Sequence, residues 1–305
     1  TKRYLTTPSH YAYLKISEGC KNKCSFCAIP LIRGKHISKP VDQLIEEASS
    51  LADQGVKELI LIAQDTTYYG YDLYGKQKLP FLLEKLALLE KFEWIRLHYT
   101  YPVNFPLEIV ELMKSHDTIC NYLDIPFQHI SDKVLKNMKR QISREGTLEL
   151  IKNVRKINPD IAIRTTLLTG HPGESIREFR ELKEFVKSQC FERLGVFKYS
   201  HEEDTWAYNH LKDKVSEKIK EKRAEEIMEI QENISLENNN KLVGKSMKIM
   251  VDRKEGPYYI GRSEYDSPEI DNEIFTESNK KLETGSFADV EITRAYPYEL
   301  YARCK

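Results

Sequence analysis

The sequence predicts an α/β protein in two unlike parts: an incomplete, TIM-like parallel (β/α)6 barrel, then a small all-β barrel. Three observations predict it. Strand-like and helix-like segments alternate through the first two-thirds of the chain, the rhythm of a parallel sheet covered by helices. A long charged stretch then breaks that rhythm. Beyond Lys241 come five short alternating strands, punctuated by Gly256, Pro257, Gly261 and Gly285. The expected division is 1–212, 213–240 and 241–305.

Taken in order, YAYLKI (11–16) reads as a strand running into a loop that carries three cysteines. Pro40 opens a helix with Val41, Leu44, Ile45, Ala48 and Leu51 on one face, and Gly55 stops it. VKELILIA (56–63) is almost wholly apolar, as a strand buried on both faces requires. Helix 79–90, strand 94–99, helix 106–115 and strand 120–125 follow. Helical stretches near 131–139 and 145–157 precede strand 161–168. Helix 175–189 and strand 192–200 complete six strands. A right-handed βα series of this length curls into a barrel open on one side, with its chemistry at the strand C-termini. Residues 213–238 read as a long helix with a partly apolar stripe of Val215, Ile219, Ile227, Ile230 and Ile234. The expectation is a solvated strut between the two barrels.

The 305 residues are 40% hydrophobic and 31% charged, an ordinary composition that can bury a real core. No apolar run approaches the roughly twenty residues a membrane span needs. The first residues show no secretory h-region, and Cys120, Cys190 and Cys304 lie scattered with no disulfide spacing. A reducing cytoplasm fits these features. Lys plus Arg equals Asp plus Glu at 47 each, so no global basic field marks a polyanionic partner.

Cys20, Cys24 and Cys27 stand in EGCKNKCSFCAIP with C-x3-C-x2-C spacing. Soft thiolates this close can wrap one metal centre, and an iron–sulfur cluster is the nearest fit. A cubane normally takes four cysteines, so three leave one iron open to a substrate or cofactor. Two other readings compete. One is a structural zinc site with His36 or a distant fourth ligand, as in a zinc-stabilised RNA-binding adaptor without catalysis. The other is three unligated loop thiols, which would invite oxidation.

The spacing resembles the radical S-adenosylmethionine (SAM) enzymes. Over most of its length the chain resembles their methylthiotransferases, most closely the RimO branch that acts on a ribosomal protein of the small subunit. The blocks that carry this are YLKISEGCKNKCSFCAIPLIRGK, ELILIAQDTTYYG, YLDIPFQHISDKVLKNMKR, RTTLLTGHPGES, FKYSHEEDTWAY and DRKEGPYYIGRSEYDSPEID. The last part resembles a TRAM domain.

The resemblance implies a 4Fe–4S cluster on the three cysteines. SAM would be chelated by the open iron and cleaved by an electron to a 5′-deoxyadenosyl radical, and a low-potential electron donor is implied too. The radical would take hydrogen from the β-carbon of an aspartate, where a methylthio group is added. Phe26 is implied to touch the adenine through its backbone. Gln64 and Asp65 would lie near the SAM amino group, and Asp124 and Gln128 near the ribose. Arg164 and Thr166 lie on the fifth strand, where alternation lets both point into the barrel; each of these polar residues is expected either to contact SAM or to make an ordinary barrel hydrogen bond. Family members begin with a further domain holding a second 4Fe–4S cluster, and this chain is expected to lack it. His171 stands where the family commonly has Phe, and is expected to pack.

Branch choice rests on charge. Residues 241–305 hold eleven Lys and Arg against twelve Asp and Glu, and 264–277 hold six acids and no base. HEED (201–204) is acidic as well. A phosphate-gripping module should not look like this, whereas one that docks on a basic ribosomal protein can. Asp266, Glu269 and Asp271 are therefore expected to meet that protein. Nucleic acid is disfavoured as a substrate, and a tRNA-modifying methylthiotransferase is the alternative within the family.

Overall fold

The computed structural model describes residues 6–305. Six strands form one parallel sheet in sequential order: β1 (Tyr11–Lys15), β2 (Glu58–Ile62), β3 (Trp94–Leu97), β4 (Ile119–Asp124), β5 (Ala162–Thr169) and β6 (Arg193–Lys198). Sequential order with a helical crossover at each step is what a right-handed βα series gives, and the sheet remains open between β1 and β6. The strand pleat sorts side chains onto two faces. Leu59, Leu61, Ile95, Leu97, Leu123, Ile163 and Leu167 face the helices and join the main apolar core. The other face forms the lumen and is unexpectedly charged. It carries Glu58, Arg96, Asp124, Arg164 and Arg193.

Five more strands close a second barrel: β7 (Ser246–Glu255), β8 (Tyr258–Arg262), β9 (Glu273–Glu277), β10 (Phe287–Ala295) and β11 (Glu299–Cys304). Their order round the barrel is β8–β9–β11–β10–β7, with only β9 and β11 parallel. Ile249, Ile274, Val290, Ile292, Leu300 and Ala302 fill it.

The second barrel sits beneath the first. Met250 joins Trp94, Cys120, Tyr122 and Ala162 of the lumen in one apolar cluster, with Tyr265 and Phe287 packed against it. These lumen residues lie at or near the starts of their strands, so the small barrel floors the end opposite the cysteine loop. Charges complete the floor. Glu58, fully buried, bonds Arg96 Nε at 2.7 Å and pairs with Arg262 of β8. Burial works to raise the Glu58 carboxyl, but Arg262 and Arg96 outweigh it and hold the group below its usual range.

Within the acidic run 264–277, Asp266 and Asp271 turn inward, and this corrects their expected docking role. Asp266 is wholly buried and takes Arg193 Nε at 2.8 Å. Asp271 accepts from the Tyr122 hydroxyl at 2.7 Å and lies 3.4 Å from Arg164 Nε. Glu269 is exposed, yet its carboxylate receives the Tyr11 hydroxyl at 3.2 Å, so it too leans on the large barrel. The bases missing from this stretch stand in the lumen for Asp266 and Asp271, and in the small barrel itself for Glu273, which pairs with Arg253.

The long helix, Glu217–Asn240, also differs from expectation. It packs on β6 and on the helix Ile176–Gln189 and is not a free strut. Ile227 and Ile234 are buried as the pattern implied, but Ile219 is exposed, and the polar Lys220, Arg223, Gln231 and Asn239 are buried beside them. Each has a partner: Arg223 donates to the Glu174 carbonyl at 3.1 Å, Gln231 to that of Phe191 at 2.9 Å, and Asn239 to that of Tyr296 at 2.7 Å. Lys220 meets Asp213 at 2.6 Å and presses on Gly170, where a Cβ would come within 2.2 Å of its Cγ. Among the described residues no helix is long and apolar enough to cross a membrane.

His98 lies in the lumen just beyond β3. Burial, then the Arg96 charge, pushes its pKa down to about 3. In the unfolded chain it titrates near 6.5. Between those values the unfolded chain binds the extra proton, so stability rises with pH through this window and is lost as pH falls below about 6.5. We expect His98→Gln to flatten the dependence of the urea midpoint on pH over that range, by up to about 1.4 kcal/mol per pH unit. Equal slopes in parent and variant would rule His98 out as the group responsible.

Candidate active site

The first strand delivers the chain to a two-residue ribbon, Ser17–Glu18 against Ile37–Ser38, which pins both ends of the cysteine loop. Gly19 makes this possible. Its φ is +78°, and a Cβ there would lie 2.2 Å from the Lys35 carbonyl oxygen. The loop is also tied to its neighbours: Ser25 N–H donates to the Met138 carbonyl at 2.9 Å, and Ala207 N–H to that of Ser25 at 2.7 Å.

Cys20, Cys24 and Cys27 together line a cavity of about 360 Å3 at the C-terminal end of the sheet. Phe26, Gln64 and Gln128 line it with them. Phe26 also packs edge-on to His171 at 6.1 Å, so that histidine serves as packing, with burial pushing its pKa down to about 4. Gln128 has φ +71° and is held by backbone bonds to Thr166 (2.9 Å) and Leu168 (2.8 Å), which turn it toward the mouth. His36 does not line the cavity; its Nε2 meets Ser38 Oγ at 3.1 Å. That weakens the zinc reading in which it is the fourth ligand.

The remaining expected contacts stand one layer back. Asp65 accepts from Asn22 Nδ2 at 2.7 Å and Thr67 Oγ1 at 2.6 Å, bracing the cysteine loop from the side. Asp124 is buried, bonded to Arg164 at 3.1 Å and to the Tyr99 N–H at 2.9 Å. Burial raises its pKa, with Arg164 opposing. Thr166 is half-buried and presents its backbone carbonyl to Gln128. These three, with Arg164, shape the cavity without lining it.

Three residues were missed from sequence: Tyr99, Tyr101 and Arg140 line the cavity. Tyr99 sits at φ +56°, and such a conformation costs an aromatic residue about 1–3 kcal/mol unless its surroundings hold it. Arg140 donates to Cys24 Sγ at 3.6 Å and lies 4.3 Å above the Tyr101 ring, whose hydroxyl is 3.8 Å from the same sulfur. The rule that chemistry gathers after strand C-termini, applied to β3, would have found both tyrosines.

Residues 14–186 match the model of the radical SAM superfamily, and 243–304 that of the TRAM domain. The ribosomal protein uS12 methylthiotransferase RimO of Christiangramia forsetii is 55% identical over 98% of this chain and 67% of its own length. That of Bacteroides thetaiotaomicron is 51% identical over 99% of this chain and 70% of its own. The chain belongs to the RimO family of radical SAM proteins. Coproporphyrinogen III oxidase (HemN) from Escherichia coli shares the fold, with a TM-score of 0.55 at 20% identity over 73% of this chain and 52% of that one.

Membership in the RimO family implies a 4Fe–4S cluster and SAM, and the donor set fits. Three soft thiols share one cavity with no fourth cysteine among its lining residues. Among the described residues no three His, Cys, Asp or Glu side chains converge on a single-ion point. A cubane spreads its irons over corners and does not ask for such convergence. Burial pushes the Cys20 thiol up to about 11 and raises Cys27 as well, so a cluster must displace protons as it binds. The loop after β2 carries Tyr68, Tyr69, Tyr71 and Tyr74 and is partly packing. Tyr69 is buried with its hydroxyl on the Lys39 carbonyl (2.8 Å), and only Tyr68 and Tyr71 stack in the open beside Lys21.

Proposed function

We propose that this chain is a radical SAM methylthiotransferase that adds a methylthio group to the β-carbon of an aspartate in ribosomal protein uS12. The observation that carries the reading is the three-thiol cavity at the sheet's C-terminal end, in a chain half identical to uS12 methylthiotransferases over nearly its whole length. When bound, the cluster would supply the electron for SAM cleavage and so the radical chemistry the reaction needs. The chain's own residues hold and orient these groups, and the sulfur of the methylthio group must come from a donor outside this cavity. Cys20, Cys24 and Cys27 hold the cluster, and Arg140 directs its charge at Cys24. Gln64, Gln128 and the backbone beside Phe26 are the polar groups a SAM molecule meets. The apolar walls exclude water from the reactive species.

Substrate choice is supported by an acidic segment. Glu202, Glu203 and Asp204 are exposed on the segment whose Ala207 bonds the cysteine loop at Ser25. A basic segment of a ribosomal protein complements them, whereas a polynucleotide is repelled. This acidic segment replaces Asp266, Glu269 and Asp271 as the docking surface. The test is anaerobic: reconstitute the protein, add SAM and dithionite, measure 5′-deoxyadenosine, and compare binding of uS12 with binding of tRNA. We expect SAM cleavage, uS12 binding, and about a tenfold loss of that binding in the Glu202→Gln, Glu203→Gln, Asp204→Asn triple variant at low salt. Tight tRNA binding with none to uS12 would move the chain to the tRNA-modifying reading.

A further inference from the structure

We propose that Asp271, in the small barrel, is a positioning residue for the SAM site at the opposite end of the large one. The proposal rests on the reading above that the three-cysteine cavity takes SAM. A continuous line of contacts runs up the lumen. Asp271 is almost fully buried; its Oδ2 accepts from the Tyr122 hydroxyl at 2.7 Å and the Ser267 N–H at 2.9 Å, and its Oδ1 lies 3.4 Å from Arg164 Nε. Arg164 spends its other edge on Asp124, with Nη1 to Oδ1 at 3.1 Å. Asp124 then fixes the segment that follows β3: its Oδ2 accepts from Tyr99 N–H at 2.9 Å, and its carbonyl from Thr100 N–H at 3.0 Å and Thr100 Oγ1 at 2.6 Å. Tyr99, Thr100 and Tyr101 are cavity wall.

A second leg ends at the same place. Ser267 Oγ meets His98 Nε2 at 2.8 Å, and His98 Nδ1 stands 3.8 Å from Asp124 Oδ2. Two residues of one floor loop thus converge on one carboxylate, which holds an aromatic residue in a left-handed backbone conformation. Conformations of that kind persist only where neighbours over-determine them. With Asp271 neutralised, Arg164 keeps a single carboxylate and is free to swing toward it, and the hold on Tyr99 changes. By linkage the effect is reciprocal: a ligand that needs this wall in place must tighten the floor loop in turn.

The experiment compares SAM dissociation constants of the anaerobically reconstituted parent, Asp271→Asn and Asp266→Asn, with iron and sulfide content as a control. Asp266 belongs to the same loop but bonds Arg193 and Ser263, away from Asp124. We expect Asp271→Asn to weaken SAM binding about five- to tenfold with the cluster retained, and Asp266→Asn to change it less than about twofold. Equal losses in both variants would mean general loosening of the floor, and no loss in Asp271→Asn would mean no relay; either overturns the proposal. Hydrogen exchange in the parent gives a test that needs no variant: SAM should slow exchange at the Ser267 amide. Unchanged exchange on saturation with SAM also overturns it. A parent that holds its cluster but binds no SAM would instead overturn the reading of the cavity.

Discussion

Cys24→Ala is expected to leave a protein that folds, retains little iron or sulfide after anaerobic reconstitution, and produces no 5′-deoxyadenosine from SAM. Three thiols share the cavity, and a site-differentiated cubane needs all three. Cys24 is also the sulfur to which Arg140 and the Tyr101 hydroxyl turn, so its loss strands a buried guanidinium edge as well. The stranded guanidinium edge should cost the metal-free protein no more than about 1–3 kcal/mol, so it still folds. The checks are iron and sulfide per chain, the broad brown absorbance, and nucleoside by chromatography. A Cys24→Ala protein that cleaves SAM at the parent rate would remove the cluster assignment altogether.

The second large effect falls on stability. Glu58→Gln is expected to lower it by about 3–5 kcal/mol, the usual cost of breaking a buried pair by removing one partner. Glu58 is wholly buried, with Arg96 on one oxygen and Arg262 on the other. Arg262 keeps Asp252 at 3.0 Å, but Arg96 is left with backbone carbonyls of the floor loop, Glu264 at 2.7 Å and Ser263 at 3.4 Å. A neutral amide therefore leaves a guanidinium charge without a carboxylate in a place water does not reach. Urea titration followed at Trp94, whose ring meets Phe287 at 5.0 Å across the two barrels, reads undocking and unfolding together. A loss below about 1 kcal/mol would show that the apolar contacts hold the barrels together without the charges.

Much of this molecule was legible in its sequence. All six strands of the sheet stand where apolar runs and Gly or Pro stops put them, because period and punctuation are local properties. The three cysteines that share one cavity were legible because soft-metal chemistry is written in spacing. The lumen was not. VKELILIA reads as apolar, yet Glu58 within it is the centre of the buried charge box. No window of sequence shows that its partners are Arg96 and Arg262, nor that Asp266 and Asp271 belong to arginines from β6 and β5. Counting charges within a segment suggested an outward face, but each of the six acids finds its partner on another element of the fold. The same blindness made the long helix look like a strut. Lys220, Arg223 and Gln231 count as polar in any pattern, and only the carbonyls and carboxylates they reach explain their burial.

The floor of the large barrel has a consequence for how the chain is made. Synthesis delivers β1 to β6 first, with Arg96, Arg164 and Arg193 already in the lumen, whereas Glu264, Asp266 and Asp271 come much later. Arg96 precedes its contact at Glu264 by 168 residues. A nascent large barrel on the ribosome therefore holds guanidinium groups still in need of water, and its lumen cannot dry until the last barrel is translated. Closure over so long a loop is slow and comes late. The final fifth of the chain thus supplies the partners that close the lumen's floor, although every residue lining the cavity at the far end belongs to the large barrel.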